Sequence, residues 1–283
     1  IRPRDWSSDV CSSDLAAHGQ GDLNRAEQLY RQILAADANY ADAAQYLGLV
    51  AAQRGQFDIA EPLFAQTVKA HPDQPEAHFN LGVARQAMGR GGEALASYEA
   101  AIALRPDYLE AVYNRGVLLQ DMARQEDAIV AYDAVLQLNP YSVEALSNRG
   151  AALHALKRYD ESLSSYDKAL AVQPAFVQTL HNRGLLLSEM GRHQDALASF
   201  DRALALQPGH IDALTSRGKT LHALGRLDEA LTCYARALAL QPGYPGALYS
   251  RALTLRSLGR MDEALGSHDR AIASAPKIGR AHV

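Results

Sequence analysis

Small, aromatic, acidic and proline positions recur along this chain with a period of 34 residues. Pro72, Pro106, Pro140, Pro174, Pro208, Pro242 and Pro276 keep that spacing without a slip. One small position runs through Gly48, Gly82, Gly116, Gly150, Gly184, Gly218 and Ala252, and a second through Ala60, Ala94, Ala128, Ser162, Ala196, Ala230 and Ala264. A ring stands at one further phase, at Phe64, Tyr98, Tyr132, Tyr166, Phe200 and Tyr234, with His268 taking its place in the last unit. The pattern predicts two helices per period. The small residues let the first helix approach the second to about 8 to 10 Å between axes, and the ring fills the space between units. Gly55, Gly89, Gly191, Gly225 and Gly259 suit a left-handed residue that ends the first helix, a place where Ala123 and Lys157 depart from the pattern. Those two turns are expected to cost up to about 1 kcal/mol each or to close by a different geometry. Acidic residues such as Glu93, Asp127 and Asp195 then fall where a second helix begins, and the proline ends it.

With the proline numbered position 32, the units are 41–74, 75–108, 109–142, 143–176, 177–210, 211–244 and 245–277, preceded by a partial unit at 16–40. A lone helix pair cannot bury its apolar face, so these units are expected to form one solenoid domain stabilised by nearest-neighbour stacking. A 34-residue period with small, small, aromatic and proline at fixed phases resembles the tetratricopeptide repeat family over nearly all of the chain. The resemblance implies an all-α fold, a right-handed superhelical α-solenoid that binds other polypeptides in a concave groove and has no catalytic site of its own. The two ends read differently. Residues 1–15, with WSSDVCSSDL, and residues 278–283, IGRAHV, resemble translated sequencing-adapter read-through on opposite strands. Both are expected to be non-native, with any signal peptide or catalytic domain lying beyond them.

Bulk composition narrows the partners. Twenty-eight Lys and Arg against 32 Asp and Glu give a net charge of -4, which offers no electrostatic reason for nucleic acid or an anionic membrane as partner. A protein or peptide segment is the expected partner. Cys11 and Cys233 stand far apart with no metal-ligand spacing, so no disulfide framework, metal or other cofactor is expected, and a cytoplasmic setting follows. No apolar run approaches the 18 residues that a membrane-spanning helix requires.

The candidate chemistry lies in polar positions that share the period. Asn80, Asn114, Asn148 and Asn182 hold position 6, which in tetratricopeptide proteins lines the groove. A carboxamide both donates and accepts, so it can hold the backbone of an extended peptide without reading its side chains. First helices about 10 Å apart would meet a strand rising about 3.3 Å per residue at roughly every third residue. This row makes the array similar to the superhelix of O-GlcNAc transferase-like proteins, which implies, as an alternative, a substrate-recruiting arm of a larger glycosyltransferase. Arginine at position 7 needs an acid, and the spacing pairs Arg115 with Glu99, Arg149 with Asp133, Arg183 with Asp167 and Arg217 with Asp201 as a structural ion-pair row. Position 12, with Gln86, Gln120, His154, Ser188, His222 and Arg256, reads as a recognition surface. Arg90, Arg124, Arg158, Arg192, Arg226 and Arg260 read as a solvated row favoured by the C-terminal end of the first helix. The last unit, with no capping helix after it, is expected to expose an apolar edge and to self-associate through it.

Overall fold

The structure is a computed structural model and describes residues 22–274. The adapter-like segments at 1–15 and 278–283, Cys11 and Pro276 lie outside the described residues. The described chain is all-α and forms two compact units, with the chain passing from one to the other between Leu138 and Asn139. Unit one holds α1 (Leu23–Ala36), α2 (Ala41–Gln53), α3 (Phe57–Ala70), α4 (Pro75–Ala87), α5 (Gly91–Leu104), α6 (Leu109–Asp121) and α7 (Gln125–Leu138). Unit two holds α8 (Val143–Ala155), α9 (Tyr159–Val172), α10 (Val177–Glu189), α11 (His193–Leu206), α12 (Ile211–Ala223), α13 (Leu227–Leu240), α14 (Pro245–Ser257) and α15 (Met261–Ser274). The even-numbered helices are the first of each pair. No described helix is long and apolar enough to cross a membrane.

Within each pair, the approach predicted from small residues is set by ring against backbone. A Cβ placed on Gly184 would lie 2.5 Å from Phe200 Cε1, and one on Gly218 would lie 2.5 Å from Tyr234 Cε1. Carbon atoms rest at about 3.5 to 4.0 Å, so the second helix's ring occupies the volume an alanine would need. Ala252 breaks the glycine row in the one unit where the ring is replaced, by an exposed His268. Tyr98, Tyr132, Tyr166 and Phe200 are completely buried, and Tyr234 nearly so. In unit two, Tyr234 belongs to a core that also takes in Leu180, Leu197, Leu214, Leu221 and Leu248.

Each first helix ends on the same hydrogen-bonded stop. Gly191 N–H donates to Ser188 O at 3.1 Å and Arg192 N–H to Leu187 O at 2.8 Å, with Gly191 at φ 74°. Ala123 and Lys157 adopt the same left-handed turn at φ 58° and 60° with the same bonds, Arg124 N to Leu119 O and Arg158 N to Leu153 O. These two turns therefore keep the geometry and carry the Cβ strain. One second helix has an irregularity that the period does not mark, since Pro62 lies inside α3 and supplies no N–H to the preceding turn.

Consecutive first helices also touch directly, α2 with α4 in unit one and α8, α10, α12 and α14 in turn in unit two, to a degree that second helices do not. In unit two these contacts bring four successive first helices together on one face.

Candidate functional site

The four asparagines fall on first helices, Asn80 on α4 and Asn114 on α6 in unit one, Asn148 on α8 and Asn182 on α10 in unit two, and all four are half-buried. Asn114 meets the hydroxyl of Tyr98, which also donates to Gln86 Oε1 at 2.7 Å. Burial pushes the Tyr98 phenol well above its ordinary pKa, so it stays a neutral donor. Asn182 Oδ1 accepts from Gln178 Nε2 at 3.0 Å, one helical turn earlier. Asn80 has no side-chain hydrogen bond to another described residue.

The arginine row divides. Arg183 Nε donates to Asp167 Oδ1 at 2.7 Å, and Arg217 Nε to Asp201 Oδ1 at 2.6 Å, each linking one helix pair to the next. A second anchor, which the sequence reading missed, lies at position 23: Arg183 Nη1 donates to Ser199 Oγ at 2.7 Å, Arg149 Nη1 to Ser165 Oγ at 2.7 Å, and Arg217 Nη1 to Cys233 Sγ at 3.0 Å. Arg149 and Asp133 belong to different units. The expected pair of Arg115 with Glu99 is not formed among the described residues, and Arg115 Nε is buried without a partner. Its own second helix carries Ala131 where α9, α11 and α13 carry Ser165, Ser199 and Cys233, so no side-chain acceptor at this position steers the guanidinium. Where position 7 is Leu81, Arg85 one turn later makes the same bridge, to Ser97 Oγ at 3.0 Å and Glu61 Oε1 at 3.1 Å. The signal was readable: a serine at position 23 without an arginine at position 7.

Two other readings are corrected. Position 12 serves mainly the array itself rather than a recognition surface. Gln86 and Gln120 accept the Tyr98 and Tyr132 hydroxyls, Ser188 lies 3.1 Å from Thr220 Oγ1, and His222 Nδ1 lies 2.7 Å from Thr254 Oγ1 on the next first helix. His154 Nε2 meets Glu189 Oε2 at 2.9 Å. The row from Arg90 to Arg260 is paired rather than merely solvated. Arg90, Arg124, Arg158, Arg192, Arg226 and Arg260 each pair with the acid three residues later in the first turn of the second helix. The arginine hydrogen bonds hold the Glu93, Glu161, Glu229 and Glu263 carboxyls below their usual range.

Cys233 is a buried free thiol, and no His, Cys, Asp or Glu cluster among the described residues could hold a metal ion. On the last pair, Tyr249, Met261 and Leu265 are more than half exposed and line a hollow of about 260 Å³ with Leu253 and His268.

Profiles described as tetratricopeptide repeat match residues 17–84, 75–108, 109–142, 141–209, 175–243 and 216–277. No curated protein matches the sequence. Among solved structures, the chain is similar to YrrB, titled a TPR protein with an unusual peptide-binding site, at 26% identity and TM-score 0.52, covering 64% of this chain and 93% of that one. A tetratricopeptide repeat protein from Parabacteroides merdae superposes with TM-score 0.66 at 19% identity, covering 87% of this chain and 98% of that one. PilW, described as a type IV pilus biogenesis factor, gives TM-score 0.65 at 24% identity, covering 72% and 94%. Helix pairs of fixed length, the glycine-to-ring contact in each pair and profile matches that together run from residue 17 to residue 277 place this chain in the tetratricopeptide repeat family.

Proposed function

We propose that the chain is a protein-interaction module whose first-helix faces take an extended polypeptide segment. The observation that carries the reading is the half-buried amide at one register of successive first helices, on α4 and α6 in unit one and on α8 and α10 in unit two. An amide fixed at that depth loses little freedom when it binds, and its donor and acceptor match those of a peptide backbone. The peptide-binding description of YrrB supports this assignment of class. The test is an unbiased peptide array probed with wild type and with Asn80→Ala/Asn114→Ala/Asn148→Ala/Asn182→Ala, the variant first matched to wild type by circular dichroism. Binding should fall at least about fivefold across unrelated peptides, since two or more backbone hydrogen bonds at about 0.5 to 1.5 kcal/mol each are removed. Undiminished binding by the folded variant would reject the asparagine row.

A further inference from the structure

The unit 177–210 places titratable rings where another unit places inert ones. Position 5 holds His181 there, and Phe79 and Tyr113 in the units 75–108 and 109–142. The three rings sit alike on the position 24 ring: Phe79 is 6.0 Å from Tyr98, Tyr113 is 6.1 Å from Tyr132, and His181 is 5.9 Å from Phe200, centroid to centroid. A third ring repeats as well, with Tyr108 at 5.1 Å from Phe79 and His210 at 5.2 Å from His181. The same three-ring packing is thus built once from Phe79, Tyr98 and Tyr108, and once from two imidazoles and Phe200. Imidazole is the ring that changes charge between pH 5 and 8.

The His210 ring serves as a hydrogen-bond acceptor. His210 Nδ1 accepts the Ala213 backbone N–H at 3.2 Å and so caps α12, which a ring protonated on both nitrogens cannot do. At the start of α8 a serine does that work, Ser142 Oγ accepting from Ala145 N–H at 3.3 Å. His181 is only 8% exposed, with Nε2 3.3 Å from Ser216 Oγ and Nδ1 buried without a partner. The groups around the pair are Gln178 and Asn182 on α10, Phe200 on α11, Asp212 and Ser216 on α12, and Tyr244 just before α14. Asp212 is the carboxylate that faces the pair among the described residues, and it already accepts the Tyr244 hydroxyl.

We propose that the His181–His210 pair is an acid-sensitive joint: proton uptake uncaps α12 and puts charge into the seam between the helix pairs α10–α11 and α12–α13, opening that seam first. Burial and the neighbouring His210 ring push the His181 imidazole below its ordinary value. The folded state then binds fewer protons than the unfolded chain below about pH 6.5, so its stability is full above that pH and falls as the pH drops through the lowered value. One proton changes the opening equilibrium by up to about tenfold per pH unit.

Native-state hydrogen exchange at about pH 7.5 and pH 5.5, corrected for intrinsic rates, tests this in the full chain. Amides of α10, α11 and α12 in wild type should show severalfold extra opening at the lower pH, up to about tenfold, with α4 and α5 unchanged. His181→Phe/His210→Tyr, which copies the rings of the unit 75–108, should abolish the difference. His210→Ser, which copies the cap at Ser142, should reduce it and serves as a milder variant should the double replacement not fold. A flat wild type, or an acid response equal in wild type and in the folded variants, overturns the proposal.

Discussion

Gly184→Ala adds one methyl group to the most crowded contact of a helix pair. The new Cβ would stand 2.5 Å from Phe200 Cε1, 2.7 Å from Cδ1 and 2.8 Å from Cζ, about 1 Å inside normal carbon contact. Phe200 has nowhere to go, being fully buried with His181 5.9 Å from its centroid. Overpacking of a filled core costs about 1 to 3 kcal/mol, and the rigidity of this site puts the expected loss at about 2 to 3. Stacked repeats open in segments, so native-state hydrogen exchange reads the loss locally, as opening of α10 and α11 that rises about 30- to 150-fold. The partner substitution Phe200→Leu removes the clashing edge. Although it destabilises by itself, the pair of changes should be less harmful than their sum by at least about 1 kcal/mol. Gly191→Ala separates volume from backbone strain: a Cβ there meets nothing within 4 Å, and its cost of about 1 to 2 kcal/mol comes from φ 74° alone, with no rescue by Phe200→Leu. A loss under about 0.5 kcal/mol for Gly184→Ala, or strictly additive changes in the cycle, would refute the argument that ring and glycine compete for one volume.

Other substitutions test the remaining elements. Ala123→Gly and Lys157→Gly should each stabilise the chain by about 0.5 to 1 kcal/mol in urea titrations, because they relieve the left-handed strain at φ 58° and 60°; lower urea midpoints would contradict the shared turn geometry. Pro62→Ala restores a helical N–H inside α3 and should raise the thermal midpoint, corresponding to about 1 to 3 kcal/mol, whereas an unchanged midpoint would mean that the α3 backbone is not strained there. Asp167→Asn should cost no more than about 1 kcal/mol, since the carboxylate is 53% exposed, and a larger loss in urea would show that the Arg183 bridge carries more than register. Met261→Glu/Leu265→Lys should abolish concentration-dependent association in sedimentation velocity. Absence of association in wild type would count against that apolar face as a self-contact.

How much was legible differs between backbone and side chains. The period, the helix pairs and the positions of Gly184, Phe200 and the prolines follow from the sequence because each rests on local geometry that repeats: a contact that excludes Cβ, a helix stop, a residue without an N–H. The placement of the asparagines on first helices follows in the same way. Partners of the polar side chains were less readable, because a guanidinium or amide reaches several positions and chooses by what stands there in three dimensions. Arg183 finds both Asp167 and Ser199, while Arg115, one Ala131 away from the same arrangement, finds neither expected acid nor hydroxyl. Likewise Gln86 and His222 looked like groove chemistry until the Tyr98 hydroxyl and Thr254 were seen beside them. The sequence by itself determined the repeat, the helices and the register of every small and aromatic residue, because those are set by chain-local sterics. Only the tertiary structure decided which polar groups are consumed by the seams between helix pairs, because residues 16 to 35 apart meet there by stacking rather than by sequence.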